Sequence, residues 1–218
     1  MEKLAFILVK VIFPGEFKMP RESDILFGSF FSRLSVILLS LLLAVGIISF
    51  SGCNRSQEVG LNPGDFPPNF SLSTLSGTKD SLVAHKGEVV VLNFWATWCA
   101  PCVEEMPTLE RLHSLLGSQG LTVLAVAVDD TEVALNAAQK ELGLSFPILL
   151  DQNGKVRDQF KVQGYPETFI VDRSGKLVLF ADPYDNEPKV RLVGPRDWVN
   201  PNVIARIQSI LDSKKDKP

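Results

Sequence analysis

Residues 89–107 join an unbroken run of β-forming residues to two closely spaced cysteines. Val89–Trp95 is apolar enough to form a strand buried on both faces. After the motif Cys99-Ala-Pro-Cys102, apolar residues recur at helical spacing. Pro101 suits a first helical turn because the N–H that it lacks would have no partner there. The sequence therefore predicts that both sulfurs lie where a buried strand passes into a helix.

This position predicts different roles for the two cysteines. At the N-terminus of a helix, unpaired N–H groups and the helix dipole favour an anion, and such sites lower a thiol pKa from about 8.5 to roughly 3.5–7.5. Cys99 is therefore the candidate attacking thiolate. Cys102 lies about one turn further into the helix and within disulfide reach, so we expect it to be more buried and to resolve mixed disulfides.

The segment N-F-W-A-T-W-C-A-P-C, residues 93–102, resembles the active site of the TlpA/ResA-like family of thiol-disulfide oxidoreductases. The resemblance spans residues 63–211. It implies an α/β thioredoxin-like fold in a domain at 63–213, with a central mixed sheet flanked by helices and a redox-active Cys99–Cys102 disulfide as its only redox group. The family's opening loop and small N-terminal hairpin correspond to residues 64–70 and 71–77, with Gly77 in the turn.

A helical insertion is the second match to the family. Leu121–Val128 reads as another buried strand, parallel to the first because a helix joins them. We expect Asp129, Asp130 and Thr131 to cap a helix at Glu132–Leu142 that ends at Gly143. The paired aspartates also allow a metal or acid–base site, but capping and solvation explain them more simply.

Residues 164–172, G-Y-P-E-T-F-I-V-D, form the third match. The resemblance implies a cis peptide bond before Pro166, which would lie against the two cysteines. Tyr165 and Glu167 would then border a substrate groove, and Trp98 would shape it. The alternative is a trans proline that opens an edge strand.

The C-terminal part predicts an antiparallel hairpin between Thr168–Val171 and residues 176–180. Residues 181–193 read as a surface loop, with a partner-binding insertion as the alternative. A closing helix that begins in residues 194–198 has an apolar face that suits packing on the sheet.

Glu105 is the candidate proton carrier. Thioredoxin keeps a buried aspartate on the strand before its active site, but the corresponding residue here is Asn93. Glu105 lies one helical turn past Cys102 on the same face, and the family's W-C-x-P-C-x-x-E pattern has a glutamate there. A carboxyl group beside buried thiols should have a raised pKa and exchange protons with Cys102. An ordinary exposed helix glutamate is the alternative.

Residues 1–53 read as a membrane-targeting leader. Basic residues precede a charge-free stretch at 34–52, and Ser51-Gly52-Cys53 resembles a bacterial lipobox, so we expect Cys53 to carry a lipid. An uncleaved membrane-spanning anchor is the alternative. In either case the domain would face the extracytoplasmic space, after a linker at 54–62 and before a frayed tail at 214–218.

The remaining features narrow the function class. A net charge of −3 gives no indication of nucleic-acid binding. We expect no metal site, because the site of a copper-carrying thioredoxin relative needs a histidine after His113 and a structural zinc site needs four N or S ligands. The expected activity is reduction of protein disulfides. The resemblance implies apocytochrome c as one substrate and a membrane thiol reductase as electron donor. A non-catalytic interaction module and a disulfide-forming oxidase are the alternatives.

Overall fold

The computed structural model describes residues 60–128, 130–185 and 187–213. Its elements, in chain order, are β1 (Leu72–Ser73), β2 (Lys79–Asp80), β3 (Val89–Trp95), α1 (Ala100–Leu116), β4 (Leu121–Val128), α2 (Glu132–Leu142), β5 (Ile148–Asp151), α3 (Lys155–Gln159), β6 (Glu167–Val171), β7 (Arg191–Val193) and α4 (Pro201–Asp212). Single 3-10 turns lie at Leu82–His85 and Gly117–Gln119.

β3 is the middle strand of a five-stranded mixed sheet with the order β5-β4-β3-β6-β7. It pairs in parallel with β4 and antiparallel with β6, and β1 and β2 form a separate antiparallel pair. All seven residues of β3 are buried, as expected for a strand covered on both faces. The thioredoxin-like class, the parallel β3–α1–β4 unit and the N-terminal hairpin predicted from the sequence are confirmed.

Apolar cores lie on both faces of the sheet. One contains Val91, Trp95 and Cys102 with the buried faces of α1 and α4. The other is rich in phenylalanine and includes Phe94 and Phe160. Successive side chains of a strand point to opposite faces, so β3 supplies both cores.

The predicted insertion is confirmed as α2, with one change in its cap. Thr131 is the cap, and its hydroxyl accepts a hydrogen bond from the Ala134 N–H. Asp130 instead accepts hydrogen bonds from the backbone N–H and the hydroxyl of Thr97, at 2.7 and 2.6 Å, and so holds the turn before Cys99. Gly143 ends the helix at a φ of 64°, where a side chain would be strained.

The C-terminal prediction is confirmed only in part. Residues 176–178 pair antiparallel with the end of β6, where the Val178 N–H donates to the carbonyl of Ile170, but 176–180 form only isolated bridges because β7 pairs with residues 167–169 of β6. The sequence 181–193, predicted as a loop, ends in the edge strand β7, which pairs with β6. The closing helix begins at Pro201, where the Asn200 side chain caps it, and not in residues 194–198.

Within the part of the chain that the structure describes, no helix is long and apolar enough to cross a membrane. The predicted leader with Cys53, linker residues 54–59, Asp129 and the tail 214–218 lie outside the described residues. Gly60, which we assigned to the linker, donates its N–H to the carbonyl of Phe66.

Candidate active site

The two cysteines lie at the N-terminus of α1, immediately after the turn that follows β3. They form a disulfide, with 5.2 Å between the Cα atoms. Cys99 is the helix cap, and its sulfur accepts a hydrogen bond of 3.3 Å from the Cys102 N–H. Cys99 is 7% exposed and Cys102 is fully buried. Cys99 is therefore the sulfur nearer the surface, and a thiolate there would face the positive end of the helix dipole.

An aromatic pair links the turn before the disulfide to the segment that precedes β6. Trp98, directly before Cys99, is 60% exposed, and its ring meets the edge of Tyr165 at a centroid distance of 5.7 Å. The Tyr165–Pro166 peptide bond is cis, as the resemblance implied. The carbonyl of Pro166 accepts a hydrogen bond from the Gly194 N–H, which ties this turn to the end of β7. An exposed indole beside a shielded disulfide provides a surface on which a peptide can lie.

Glu167 does not border this surface, contrary to the prediction. Its side chain is fully buried, where it pairs with Arg191 and accepts a hydrogen bond from the Gln163 N–H. Burial raises the pKa of Glu167, although the hydrogen bonds and the charge of Arg191 oppose this. The cause of the difference is strand alternation: Thr168, the next residue, accepts a hydrogen bond from Asn93 on the α1 face of the sheet, so Glu167 points to the other face.

Glu105 lies deep in the layer between α1 and the sheet. Only 2% of the residue is exposed. One carboxylate oxygen accepts a hydrogen bond of 2.8 Å from the Asn93 amide. The other accepts hydrogen bonds from the Arg196 N–H at 3.0 Å and from the Trp198 indole at 3.3 Å. Burial raises the pKa of Glu105 to about 7 despite these donors, so this carboxyl can exchange a proton near neutral pH.

Sequence reasoning missed most of the groups that surround Glu105. The cysteine motif indicates Glu105, but the sequence shows Asn93 only as the residue that stands where thioredoxin has an aspartate. In the structure the Asn93 amide donates to both Glu105 and Thr168, while its oxygen has no hydrogen-bond partner among the described residues. Arg196 and Trp198 lie more than 90 residues beyond Glu105 in the chain, and no local pattern indicates their contact with it.

The histidines take no part in the site. Both ring nitrogens of His85 lie 2.9 Å from a carboxylate, one of Asp80 and one of Glu88, and the His113 ring packs edge-on against Phe146. Among the described residues, no group of three or more His, Cys, Asp or Glu could hold a metal ion.

A cysteine pair that opens the helix after the central strand, together with a cis proline directly before the antiparallel neighbour strand β6, defines a thioredoxin-like disulfide protein. The AhpC/TSA family model matches residues 63–180, more than half of the chain, and the chain belongs to this family.

Similar proteins agree with this class. The thioredoxin-like protein YneN of Bacillus subtilis is 40% identical over 144 residues, which cover 62% of this chain and 84% of that protein. The thiol-disulfide oxidoreductase ResA of Geobacillus thermodenitrificans is 36% identical over 143 residues, or 66% of this chain and 82% of ResA. A solved structure from Chlorobium tepidum, described as a thiol:disulfide interchange protein DsbE, matches with a TM-score of 0.60 and 28% identity, over 70% of this chain and 99% of that one. With a disulfide at the start of α1, the chain is a thiol-disulfide oxidoreductase.

Proposed function

We propose that the chain is a membrane-tethered, extracytoplasmic enzyme that reduces protein disulfides. The observation that carries the catalytic part of the proposal is Glu105, a buried acid with a pKa of about 7 one helical turn past the inner cysteine. An enzyme that repeatedly opens and closes a disulfide must supply and remove protons at the inner sulfur, and this acid is suited to that task.

In the proposed reaction, the Cys99 thiolate attacks one sulfur of a substrate disulfide. The other substrate sulfur leaves and takes a proton from solvent, and a mixed disulfide remains on Cys99. Glu105 accepts the proton of Cys102, whose thiolate then attacks Cys99 and displaces the second substrate sulfur, which takes up the proton that Glu105 accepted. The substrate gains two electrons and two protons, and the Cys99–Cys102 disulfide is formed.

A dithiol donor must then reduce this disulfide. We propose a membrane thiol reductase for this step and, among protein substrates, apocytochrome c before haem attachment. Both proposals rest on the resemblance to the TlpA/ResA-like family. Trp98, Tyr165 and Pro166 would line the groove for the substrate chain, since Trp98 directly precedes Cys99 and its ring packs edge-to-face with that of Tyr165.

The tether is proposed to be a lipid on Cys53, with an uncleaved helix at 34–52 as the second possibility. Substituting Cys53→Ser in cells grown with labelled fatty acid tests this. Loss of label together with a longer, uncleaved chain supports the lipid. An unlabelled wild-type protein that stays in the membrane fraction supports the helix, and a wild-type protein in the soluble fraction contradicts both.

Activity and direction are tested with the purified protein. We expect it to reduce insulin disulfides and Cys99→Ser to abolish this; unchanged activity in that variant would indicate a non-catalytic module. A reduction potential near thioredoxin's, about −270 mV, supports the reductase, whereas one near about −120 mV indicates an oxidase. Cys102→Ser should trap substrates as mixed disulfides on Cys99, which identifies them.

A further inference from the structure

We infer that Asp182 is a positioning residue for the buried acid: it neutralises Arg196 and so leaves Glu105 free to hold a proton. The inference deepens the proposed function and rests on the role of Glu105 there. Asp182 lies in the segment 181–193, which reads from the sequence as a surface loop.

Asp182 and Arg196 form a buried ion pair beside the active site. Nε of Arg196 donates to the Asp182 carboxylate, and one terminal nitrogen donates to the carbonyl of Gly194. The side chain of Asp182 is fully buried and that of Arg196 is 4% exposed. A charged group at such depth requires a partner, so each charge is held there by the other.

Arg196 also acts on Glu105 directly. Its backbone N–H donates to Glu105 at 3.0 Å, and the positive guanidinium lowers the pKa of Glu105 against the larger effect of burial. One buried cation is therefore within electrostatic range of two carboxyl groups. Asp182 forms the direct ion pair with Arg196 and stays ionised. Glu105 has no such ion pair, so it is the carboxyl group that can be neutral.

The other groups that face Glu105 do not compete for this charge. Asn93 and Trp198 are uncharged hydrogen-bond donors, and Thr168 is an uncharged side chain that accepts a hydrogen bond from Asn93. The two cysteines lie on the same helix as Glu105, at its start. Glu167 points to the opposite face of the sheet and pairs there with Arg191.

The two possible roles of Asp182, neutralising Arg196 or only supporting the local structure, predict shifts of opposite sign in the pKa of Glu105. When Asp182→Asn leaves the guanidinium without a counter-charge, Arg196 attracts Glu105 and lowers its pKa by about one unit, a tenfold change in proton affinity. If Asp182 merely held residues 194–198 in place, its loss would weaken the donors to Glu105 and raise that pKa. Arg196→Gln removes the cation and should raise it, and the double variant should return it close to the wild-type value.

The experiment is a titration of the Glu105 side-chain carboxyl by ¹³C NMR in the oxidised full-length protein, with the pH profile of insulin reduction as a second readout. Asp182→Asn should move the NMR midpoint to lower pH. The part of the pH profile of insulin reduction that depends on the protonation of Glu105 should move in the same direction. An unchanged or higher midpoint in Asp182→Asn overturns the inference.

Arg196→Lys and Arg196→Gln form a matched pair that leaves Asp182 intact, in case Asp182→Asn does not fold. Lysine keeps the charge and should keep the midpoint near that of the wild type, whereas glutamine should raise it. Equal shifts in both variants overturn the inference. A wild-type midpoint near the ordinary 4.5 instead contradicts the proposed role of Glu105 itself, so the two failures are distinguishable.

Discussion

A carboxyl group removed from water raises the free energy of the folded protein mainly when it is ionised, and Glu105 is in this position. Its pKa is about 7 in the folded protein against an ordinary value of 4.5. Between these two pH values the unfolded chain releases the proton of Glu105 and the folded chain retains it. Stability therefore falls as the pH rises from about 4.5 through 7, the reverse of the behaviour of a carboxylate that is stabilised by a salt bridge.

Glu105→Gln should remove this pH dependence. Glutamine does not titrate, so the variant should not lose the stability that the wild type loses as the pH rises. The unfolding free energy of the variant minus that of the wild type should therefore be about 3 kcal/mol larger at pH 8 than at pH 4. Urea denaturation of the oxidised proteins at both pH values measures it. Glu104→Gln, at the exposed neighbour, is the control and should show no such difference. Equal differences at both pH values for Glu105→Gln would contradict the raised pKa.

Loss of the Trp98 side chain should weaken the binding of a protein substrate and leave the reaction of the cysteines unchanged. Because its side chain is largely exposed, Trp98→Ala should change stability by less than about 1 kcal/mol. We expect kcat/KM for insulin reduction to fall about tenfold, as for loss of an aromatic anchor, and reduction of a small disulfide such as oxidised glutathione to change little. Val133→Ala, at another exposed apolar residue, should alter neither rate. An equal loss with both substrates would mean that Trp98 acts on the cysteines and not on the bound chain.

At the level of elements, Thr108 joins α1 to the segment that covers Glu105. Its hydroxyl donates to the carbonyl of Glu105 at 2.8 Å and accepts a hydrogen bond from the Trp198 N–H at 3.2 Å. A second acceptor, the carbonyl of Arg196, lies at 3.3 Å. One hydroxyl thus links the helix that carries the acid to the segment that supplies two of its hydrogen-bond donors.

Thr108→Val keeps the shape of the side chain but leaves the Trp198 N–H without its acceptor. We expect a loss of about 1–2 kcal/mol in unfolding free energy, the usual result of an unpaired, partly buried donor. Thr108→Ser keeps the hydroxyl and should recover most of this loss. Chemical denaturation of the three proteins at one pH tests the prediction, which fails if serine and valine destabilise equally.

The elements that could be predicted from the sequence are those with a local cause. β3, β4 and α2 begin and end where the apolar pattern, the cap and the terminal glycine placed them. β7 could not be found, because a three-residue strand with one buried side chain has no periodicity of its own and exists by pairing with β6. The same limit applies to the site: the cysteine motif is local, whereas the donors around Glu105 are brought to it by the tertiary fold.

For the molecule as a whole, the sheet separates the active site from a second core. The cysteines lie in the core on the α1 and α4 face. Phe160 belongs to the core on the other face, where its ring lies 5.2 Å from that of Phe94 and 5.3 Å from that of Phe169. Stability and chemistry should therefore respond separately to changes on the two faces.

Phe160→Leu tests this separation. The smaller side chain leaves a cavity among the aromatic rings and should lower the free energy of unfolding by about 1–3 kcal/mol. The pKa of Glu105 and the rate of insulin reduction should stay at wild-type values under conditions where the variant is fully folded, because the sheet lies between the cavity and the site. Met106→Leu, a nearly volume-conserving change in the core on the α1 face, is the comparison and should lower the free energy of unfolding by less than about 1.5 kcal/mol. A shift of the pKa of Glu105 in Phe160→Leu would contradict this separation, because it would show that a change in the second core reaches the active-site face through β3.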